Sequence, residues 1–276
     1  MFSSPFSFRK LPMPLLLYGL FVVLASLVCP KVALADQVTV RHVEGVTHGF
    51  LLLRTLDGTV IADGDLKQVV KGGRVTDDLT FRFKDGSYYE ETTIYWQRGR
   101  FRLLSDRIIQ RGPSFKEQTD TSIDAITEQV TVRNLDKSKE KVKTQHLQLP
   151  EAVSNGLIFT LVKNIEPTVP QTTVSYVAAS SKARLVKLNI SPQGEDTFAV
   201  GLLSYKAQHF VVKVQIPGVA GVIAPAVGKQ PPDIHIWVVK SEAPVFVQFE
   251  GPLYQDGPIW KLELAKPEPS KESGKK

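Results

Sequence analysis

The sequence predicts a mainly β protein: one large curled antiparallel sheet, half-barrel or barrel-like, with one main helix and a short apolar helical or loop insert. Most of the chain consists of short segments in which apolar and polar residues alternate, which is the period of a half-buried strand. Gly, Pro, Asp and Asn separate these segments, and a single stretch has helical spacing. No Pro/Ser-rich linker divides residues 36–265, so we expect one β-rich domain there.

The first 35 residues have the pattern of a signal peptide. Arg9 and Lys10 precede an apolar run over residues 15–28, and an A-x-A motif ends at Ala35. The run is short for a membrane span, and this succession of regions is typical of secretion. We expect cleavage between Ala35 and Asp36, which makes the mature protein periplasmic or secreted and not membrane-spanning.

Two alternatives for this segment are an uncleaved anchor and a lipid attached to Cys29, the only cysteine of the chain. The bacterial lipidation signature has Leu three residues before the cysteine and a small residue directly before it. Ser26 and Val28 occupy those positions. Cleavage removes Cys29, so the mature chain has no disulfides. Its length allows a hydrophobic core to suffice without them, and this composition fits a bacterial periplasm.

The charge of the folded part is close to neutral. The formal net charge of +6 includes +3 from the first 35 residues and +2 from residues 266–276, which leaves about +1 on residues 36–265. A body of that charge lacks the basic footprint of a nucleic-acid-binding protein. Residues 266–276, rich in Lys, Pro, Ser and Glu, have the composition of a disordered tail.

The clearest strands form a predicted three-stranded meander over residues 79–84, 88–97 and 101–110. Asp85 and Gly86 form the hairpin turn between the first two. By the same criteria, further strands are predicted at residues 38–43, 48–55, 59–62, 66–70, 74–76, 124–133, 141–149, 173–178, 183–190, 198–203, 207–215, 234–239, 245–250 and 259–264, with turns that include residues 134–138 and 191–194.

The helix is predicted over residues 151–165. Pro150 suits a first helical turn, and apolar residues such as Leu157 and Leu161 recur four apart. The helix is expected to end before Pro167, and Gly156 weakens it.

Residues 217–228 form an apolar connection that is unsuited to a strand. They carry no charge and contain three Gly and two Pro between two clear strands. The segment could plug the mouth of the curled sheet, cover an apolar ligand as a lid, or contact a membrane or a partner. The ligand-binding residues expected from this segment and from the aromatic strands are Val219, Val222, Ile223, Val227, Tyr89, Tyr95, Trp96 and Trp237, although the aromatic residues also suit a core.

Two carboxylates are expected inside the sheet. Because neighbours in a strand point to opposite faces, one of Glu90 and Glu91 faces inward. Asp106, flanked by apolar residues, could also lie inside. Such a group could anchor a ligand, or it could pair across strands or lie at the rim, with Arg102 or Arg107 nearby in sequence.

The usual catalytic motifs are missing from the sequence: it contains no nucleophile elbow, P-loop, dinucleotide fingerprint or H-E-x-x-H. Asp233 and His235 share a strand face and could join His209 in a metal site or a hydrolase site, but a solvated or hydrogen-bonded histidine is the simpler interpretation. We therefore expect no enzyme, no catalytic residues, no metal and no cofactor.

The plan of the chain resembles bacterial periplasmic proteins that share the open half-barrel sheet of lipoprotein-localisation factors. The resemblance is based on the signal segment, the meander, the single helix and the returning strands of residues 234–250 (IHIWVVKSEAPVFVQFE). It implies a concave sheet that binds acyl chains or other apolar groups. The leading hypothesis is a periplasmic binding or carrier protein for an apolar, lipid-like ligand. The alternative is a structural or interaction module of the cell envelope that docks a partner protein through residues 217–228.

Overall fold

The structure, a computed structural model, describes residues 35–135, 141–179, 182–200, 203–216 and 230–265. They form one helix, α1 (Ile158–Asn164), and fourteen strands. The strands are β1 (Thr47–Arg54), β2 (Val60–Lys71), β3 (Arg74–Phe83), β4 (Tyr88–Arg98), β5 (Arg100–Arg111), β6 (Thr119–Asp124), β7 (Gln129–Asn134), β8 (Lys141–His146), β9 (Thr172–Ala178), β10 (Arg184–Val200), β11 (Leu203–Gln215), β12 (Ile234–Val239), β13 (Val245–Gly251) and β14 (Trp260–Leu264).

All described strands belong to one antiparallel sheet, which confirms the predicted fold class. From β1, strands β2 to β8 follow in chain order on one side, and β14 to β9 follow in reverse order on the other. Almost every neighbour in the sheet is therefore also a neighbour in sequence, as short connections dictate. The pairing of β1 with β14, for example Leu52 with Glu263, joins the two ends of the domain.

The sheet curls so that distant strands face one another. Tyr176 of β9 lies close enough to Glu91 of β4 for the charge of Glu91 to raise its pKa, although the two strands are far apart in the strand order. Within the described residues the edge strands β8 and β9 do not pair with each other. The connection between them lies along β9, where Ser154 N donates to Ser175 O at 2.9 Å and Ser175 N donates to Ala152 O at 3.1 Å.

The concave face of the sheet holds the core. Leu53, Phe81, Tyr95, Phe210 and Ile236, which come from five different strands, are completely buried there. Their neighbours in sequence point outward, so each strand places alternate residues inside. The described core thus extends across nearly the whole width of the sheet.

Helix α1 packs against the concave face. Phe159 makes edge-to-face contacts with Phe246 and Phe249, with ring centroids 5.0 and 5.5 Å apart. Lys240 Nζ donates hydrogen bonds of 2.9 to 3.0 Å to three carbonyl groups at the end of the helix. Burial, with the charge of Arg41 as a smaller cause, lowers the pKa of Lys240 to about 8. The three hydrogen bonds from the ammonium group of Lys240 anchor the end of the helix to the sheet.

The predicted turn at residues 191–194 is wrong, because β10 continues through it. The ladder with β11 extends from Lys187 to Val200 and absorbs one extra residue between Pro192 and Gly194. A bulge accepts proline, which lacks an N–H group, and the positive φ of Gly194 suits the same irregularity. Residues 184–190 and 198–200, predicted in two strands, therefore belong to one strand, and so do residues 60–62 and 66–70, which lie in β2.

Three other element predictions need correction. Residues 151–157 are not helical, because Gly156 has a φ of +68° that a right-handed helix excludes. The predicted strand 124–133 is broken after Asp124, whose side chain accepts hydrogen bonds from Ile126 N and Thr127 N in a turn. Residues 38–43 form a single bridge at Thr39 in place of a strand.

Several predictions concern residues that the structure does not describe. They are the signal peptide, the tail at 266–276, most of the turn at 134–138 and the apolar segment 217–228. In the part of the chain that is described, no helix has the length and apolar character needed to cross a membrane.

Candidate functional site

The inner face of β2 to β5 carries polar side chains at the centre of an apolar core. A bulge creates part of this arrangement. Ile94 pairs with Ser105 and Tyr95 pairs with Leu103, so Leu104 is an extra residue in β5. Residues with odd numbers point inward before the bulge and those with even numbers after it, which places Asp106 inside.

Four inward polar residues stand side by side on neighbouring strands, and we call them the polar row. Gln68 of β2 pairs with Asp77 of β3, Asp77 pairs with Thr93 of β4, and Thr93 pairs with Asp106 of β5. Thr93 Oγ1 donates to Asp106 Oδ1 at 3.0 Å. Gln68, Thr93 and Asp106 are 6%, 2% and 2% exposed.

Glu91 and Asp106 form a buried carboxyl pair. Tyr89 Oη donates to Glu91 Oε2 at 2.7 Å, and Thr93 holds Asp106. Burial raises the pKa of both groups, and for Asp106 the negative charge of Glu91 adds to the increase. Because two deeply placed carboxylates so close together disfavour double ionisation, the pair retains a proton above the usual pH range of an acid.

The alternative partners considered for Asp106 lie elsewhere. Arg107 points outward and forms a two-bonded ion pair with Asp120, with N–O distances of 2.9 and 2.8 Å. Arg102 Nη1 lies 4.0 Å from Glu151. Of Glu90 and Glu91, one of which was expected to face inward, it is Glu91 that does so, and Asp106 also lies inside. The alternative of an ion pair between Asp106 and either arginine is not found.

Asp77 is the third inward acid, and its Oδ1 atom is buried without a hydrogen-bond partner among the described residues. Burial raises its pKa to about 7, the charge of Glu44 adds to this effect, and a hydrogen bond from the Tyr95 hydroxyl opposes it. Glu44 itself pairs with Lys163 of α1. The helix therefore brings one cation to the acidic side of the interior.

A second row of inward residues lies beside the polar row, and several of its members are only partly buried. In this central row Gly49 pairs with Leu66, Leu66 with Leu79, Leu79 with Glu91 and Glu91 with Ile108. Leu66, Glu91 and Ile108 all retain accessible surface. A methyl group at Gly49 would meet no atom closer than 4.0 Å.

The flanking positions are tightly packed. On one side of Glu91, Tyr89 is 2% exposed, and on the other side Thr93 is 2% exposed. Glu91 nevertheless lies deep in the protein, deep enough for burial to be the main influence on its pKa. Glu91 is thus an inward-facing acid that is only partly buried and has apolar side chains on both neighbouring strands.

The residues expected to bind a ligand do not all lie together. Tyr89 and Tyr95 point inward beside Glu91 and Asp77, where they are buried. Trp96 and Trp237 are on the outer face of β4 and β12. The four apolar residues Val219, Val222, Ile223 and Val227 lie outside the described part of the chain.

Two of the three candidate metal or catalytic residues meet on the outer face. His209 Nε2 lies 2.9 Å from His235 Nδ1, and the His209 ring stacks on Trp237 with centroids 4.5 Å apart. Asp233 pairs with Lys213 instead, at 3.3 Å. In the described ranges no three acidic, histidine or cysteine side chains come together as metal ligands would.

Sequence analysis missed Asp77 and Tyr176. The sheet continues without interruption from Leu79 to Arg74, so the alternation that places Leu79 inside also places Asp77 inside. Extending the meander by two residues would have found it. Tyr176 is distant in sequence, and its position opposite Glu91 follows only from the curling of the sheet.

Comparisons with known proteins add a coarse likeness of fold. No family model matches the chain, and no curated protein matches it. The chain is similar to a solved structure described as a β-barrel-like protein of the domain of unknown function DUF1849 from Brucella abortus, with 9% identity and a TM-score of 0.44. The match covers 82% of this chain and 98% of that one. The resemblance to lipoprotein-localisation factors is not confirmed by these comparisons.

Proposed function

We propose that the protein is a non-enzymatic binding or carrier protein of the bacterial periplasm, and that it holds a lipid-like ligand inside the curled sheet. The observation that carries this proposal is that Glu91, an inward-facing acid between apolar neighbours, is only partly buried. The signal-peptide pattern of the sequence supports the periplasmic location.

The central row has the chemistry of such a site. Leu66 and Leu79 on one side of Glu91 and Ile108 on the other present apolar surface. Ligand sites are mostly apolar, with a few polar groups that fix orientation. A ligand with an apolar body and one hydrogen-bonding group fits this pattern, because the body can lie along the row while the polar group meets Glu91.

The raised pKa of Glu91 suits this role. A carboxyl group that retains its proton can both donate and accept a hydrogen bond. It also avoids the large cost of an unpaired charge in an apolar site. The ligand group that it recognises is therefore a neutral hydrogen-bonding group, such as a hydroxyl or a protonated acid.

A neutral apolar dye, Nile red, tests the proposal. Its fluorescence rises in apolar surroundings, so a titration of the protein should show saturable binding. In the variant Ile108→Trp the larger ring fills the space beside Glu91, and we expect affinity to fall by at least about tenfold, which corresponds to about 1.4 kcal/mol. Far-UV circular dichroism shows whether the sheet is retained.

The adjacent residue provides a matched control. Ile109 follows Ile108 in β5 and points outward, so Ile109→Trp adds the same ring to the opposite face and should leave dye binding unchanged. A second pair is Glu91→Gln and Glu90→Gln, which preserve size. The proposal is refuted if wild type shows no saturable dye binding, or if Ile108→Trp binds like Ile109→Trp with its fold intact.

A further inference from the structure

The end of the β4–β5 hairpin presents three arginines on the outer face of the sheet, away from the proposed ligand interior. Trp96 pairs with Arg102, and Arg98 pairs with Arg100. These four side chains share one face because alternate residues of paired strands point to the same side of the sheet. Gly99, with a φ of +70°, makes the turn between the two strands. Phe101, between two of the arginines, points inward and is 4% exposed.

These side chains line a groove of about 470 Å³, which we call the arginine groove. Its other walls are Gln37 and Thr39 of the N-terminal segment and Glu151 of the connection before α1. The N-terminal segment is fixed to the hairpin, since Val40 N donates to Gly99 O at 2.9 Å. The volume lies within the usual range of small-molecule sites.

Two of the guanidinium groups are held in place by the protein. Arg98 lies over the Trp96 ring, 4.4 Å from its centroid, and donates from Nη2 to Gly72 O at 2.5 Å. Arg100 Nη1 donates to Gln37 Oε1 at 2.5 Å. Each of these hydrogen bonds uses one of the five N–H donors that a guanidinium carries. Side chains that are already ordered lose less entropy when a ligand binds.

We propose that the arginine groove binds a phosphate-type oxyanion, carried either by the headgroup of an anionic phospholipid or by a soluble phosphate ester. The groove has three positive charges and one negative charge, Glu151, on a body whose net charge is close to zero. Guanidinium groups match phosphate oxygens with paired N–H donors, which favours an oxyanion over other anions in this groove.

The neighbouring cavity leaves room for a substituent on the phosphate. It has a volume of about 150 Å³ and shares Arg102 and Glu151 with the arginine groove. Leu149, Pro150 and Ile126 contribute apolar surface to it. The pair Arg102–Glu151, 4.0 Å apart, stands between the two spaces, so an oxyanion in the groove can direct an apolar substituent past this pair.

Calorimetric titration with inorganic phosphate, and co-sedimentation with phosphatidylcholine vesicles with and without phosphatidylglycerol, test the proposal on the full chain. The test variant is Arg98→Gln/Arg100→Gln. The control is Arg82→Gln/Arg111→Gln, which removes two charges from exposed residues of β3 and β5 that pair with Tyr88 at the other end of β4. Wild type, test variant and control variant all contain the apolar N-terminal segment, so the result is the difference in binding between these three proteins.

We expect the test variant to lose at least about tenfold in affinity and the control to bind like wild type, because charge-assisted hydrogen bonds to the anion are removed only in the groove. A soluble phosphate source is supported if the test variant, but not the control, loses affinity for inorganic phosphate. Loss confined to phosphatidylglycerol vesicles supports a lipid headgroup. The proposal is overturned if wild type binds neither probe, or if both double variants lose binding equally.

Discussion

Replacement of Asp77 by Asn should change how the stability of the protein depends on pH. The folded state raises the pKa of Asp77 from its ordinary value of 3.8 to about 7, chiefly through burial. Between these two values the folded state binds a proton that the unfolded state has lost, so stability falls as pH rises through this window and the loss is complete above about pH 7.

The size of the effect follows from the pKa of the folded state. At about 1.36 kcal/mol per pKa unit, the wild type loses about 3 kcal/mol from this group between about pH 5 and pH 8. Asn has the shape of the protonated acid and does not titrate. Asp77→Asn should therefore gain stability relative to wild type by about 3 kcal/mol over the same interval.

Urea unfolding at about pH 5 and about pH 8, monitored by far-UV circular dichroism, measures this difference in the free energy of unfolding. Asp78→Asn is the matched control, because Asp78 is the next residue of β3, points to the other face and accepts a hydrogen bond from Thr92. Its pH dependence should equal that of wild type. The reasoning is refuted if Asp77→Asn keeps the wild-type slope of stability against pH.

Three further predictions concern other contacts. Gly156→Ala should destabilise the fold by roughly 2–5 kcal/mol in urea unfolding, because the residue has φ +68° and its Cβ would lie 2.0 Å from Thr93 Oγ1; adding Thr93→Ala should restore part of the loss. Lys240→Met should cost about 3 kcal/mol by the same assay through three lost hydrogen bonds to α1, and a neutral result would contradict that role. Burial and His235 lower the pKa of His209, so Trp237 fluorescence should titrate below pH 6.5, and His209→Phe should abolish this change.

Local patterns in the sequence were sufficient to predict the strands of the meander but not which residues of β5 face the interior. Alternation and the Asp85–Gly86 turn predict β3, β4 and β5, because a half-buried strand repeats every two residues. The bulge at Leu104 leaves no clear signal, since Leu103 and Leu104 are both apolar and either could be the extra residue. The orientation of Asp106 thus depended on a backbone irregularity that only pairing with β4 defines.

Long-range contacts explain what else the sequence could not supply. Tyr176 approaches Glu91 because the sheet curls, and Lys163 meets Glu44 because α1 packs inside it. Neither contact has a local pattern. His209 and His235 lie 2.9 Å apart because β11 and β12, which follow one another in sequence, are paired in the sheet.

Native mass spectrometry of the protein, isolated from bacterial cells under mild conditions, tests the central claim most directly. The account predicts that wild type and Ile109→Trp carry an additional apolar mass, and that Ile108→Trp loses it because the ring occupies the central row beside Glu91. A bare protein mass for wild type, or an equal bound mass in Ile108→Trp with its sheet intact, would contradict a ligand site within the curled sheet.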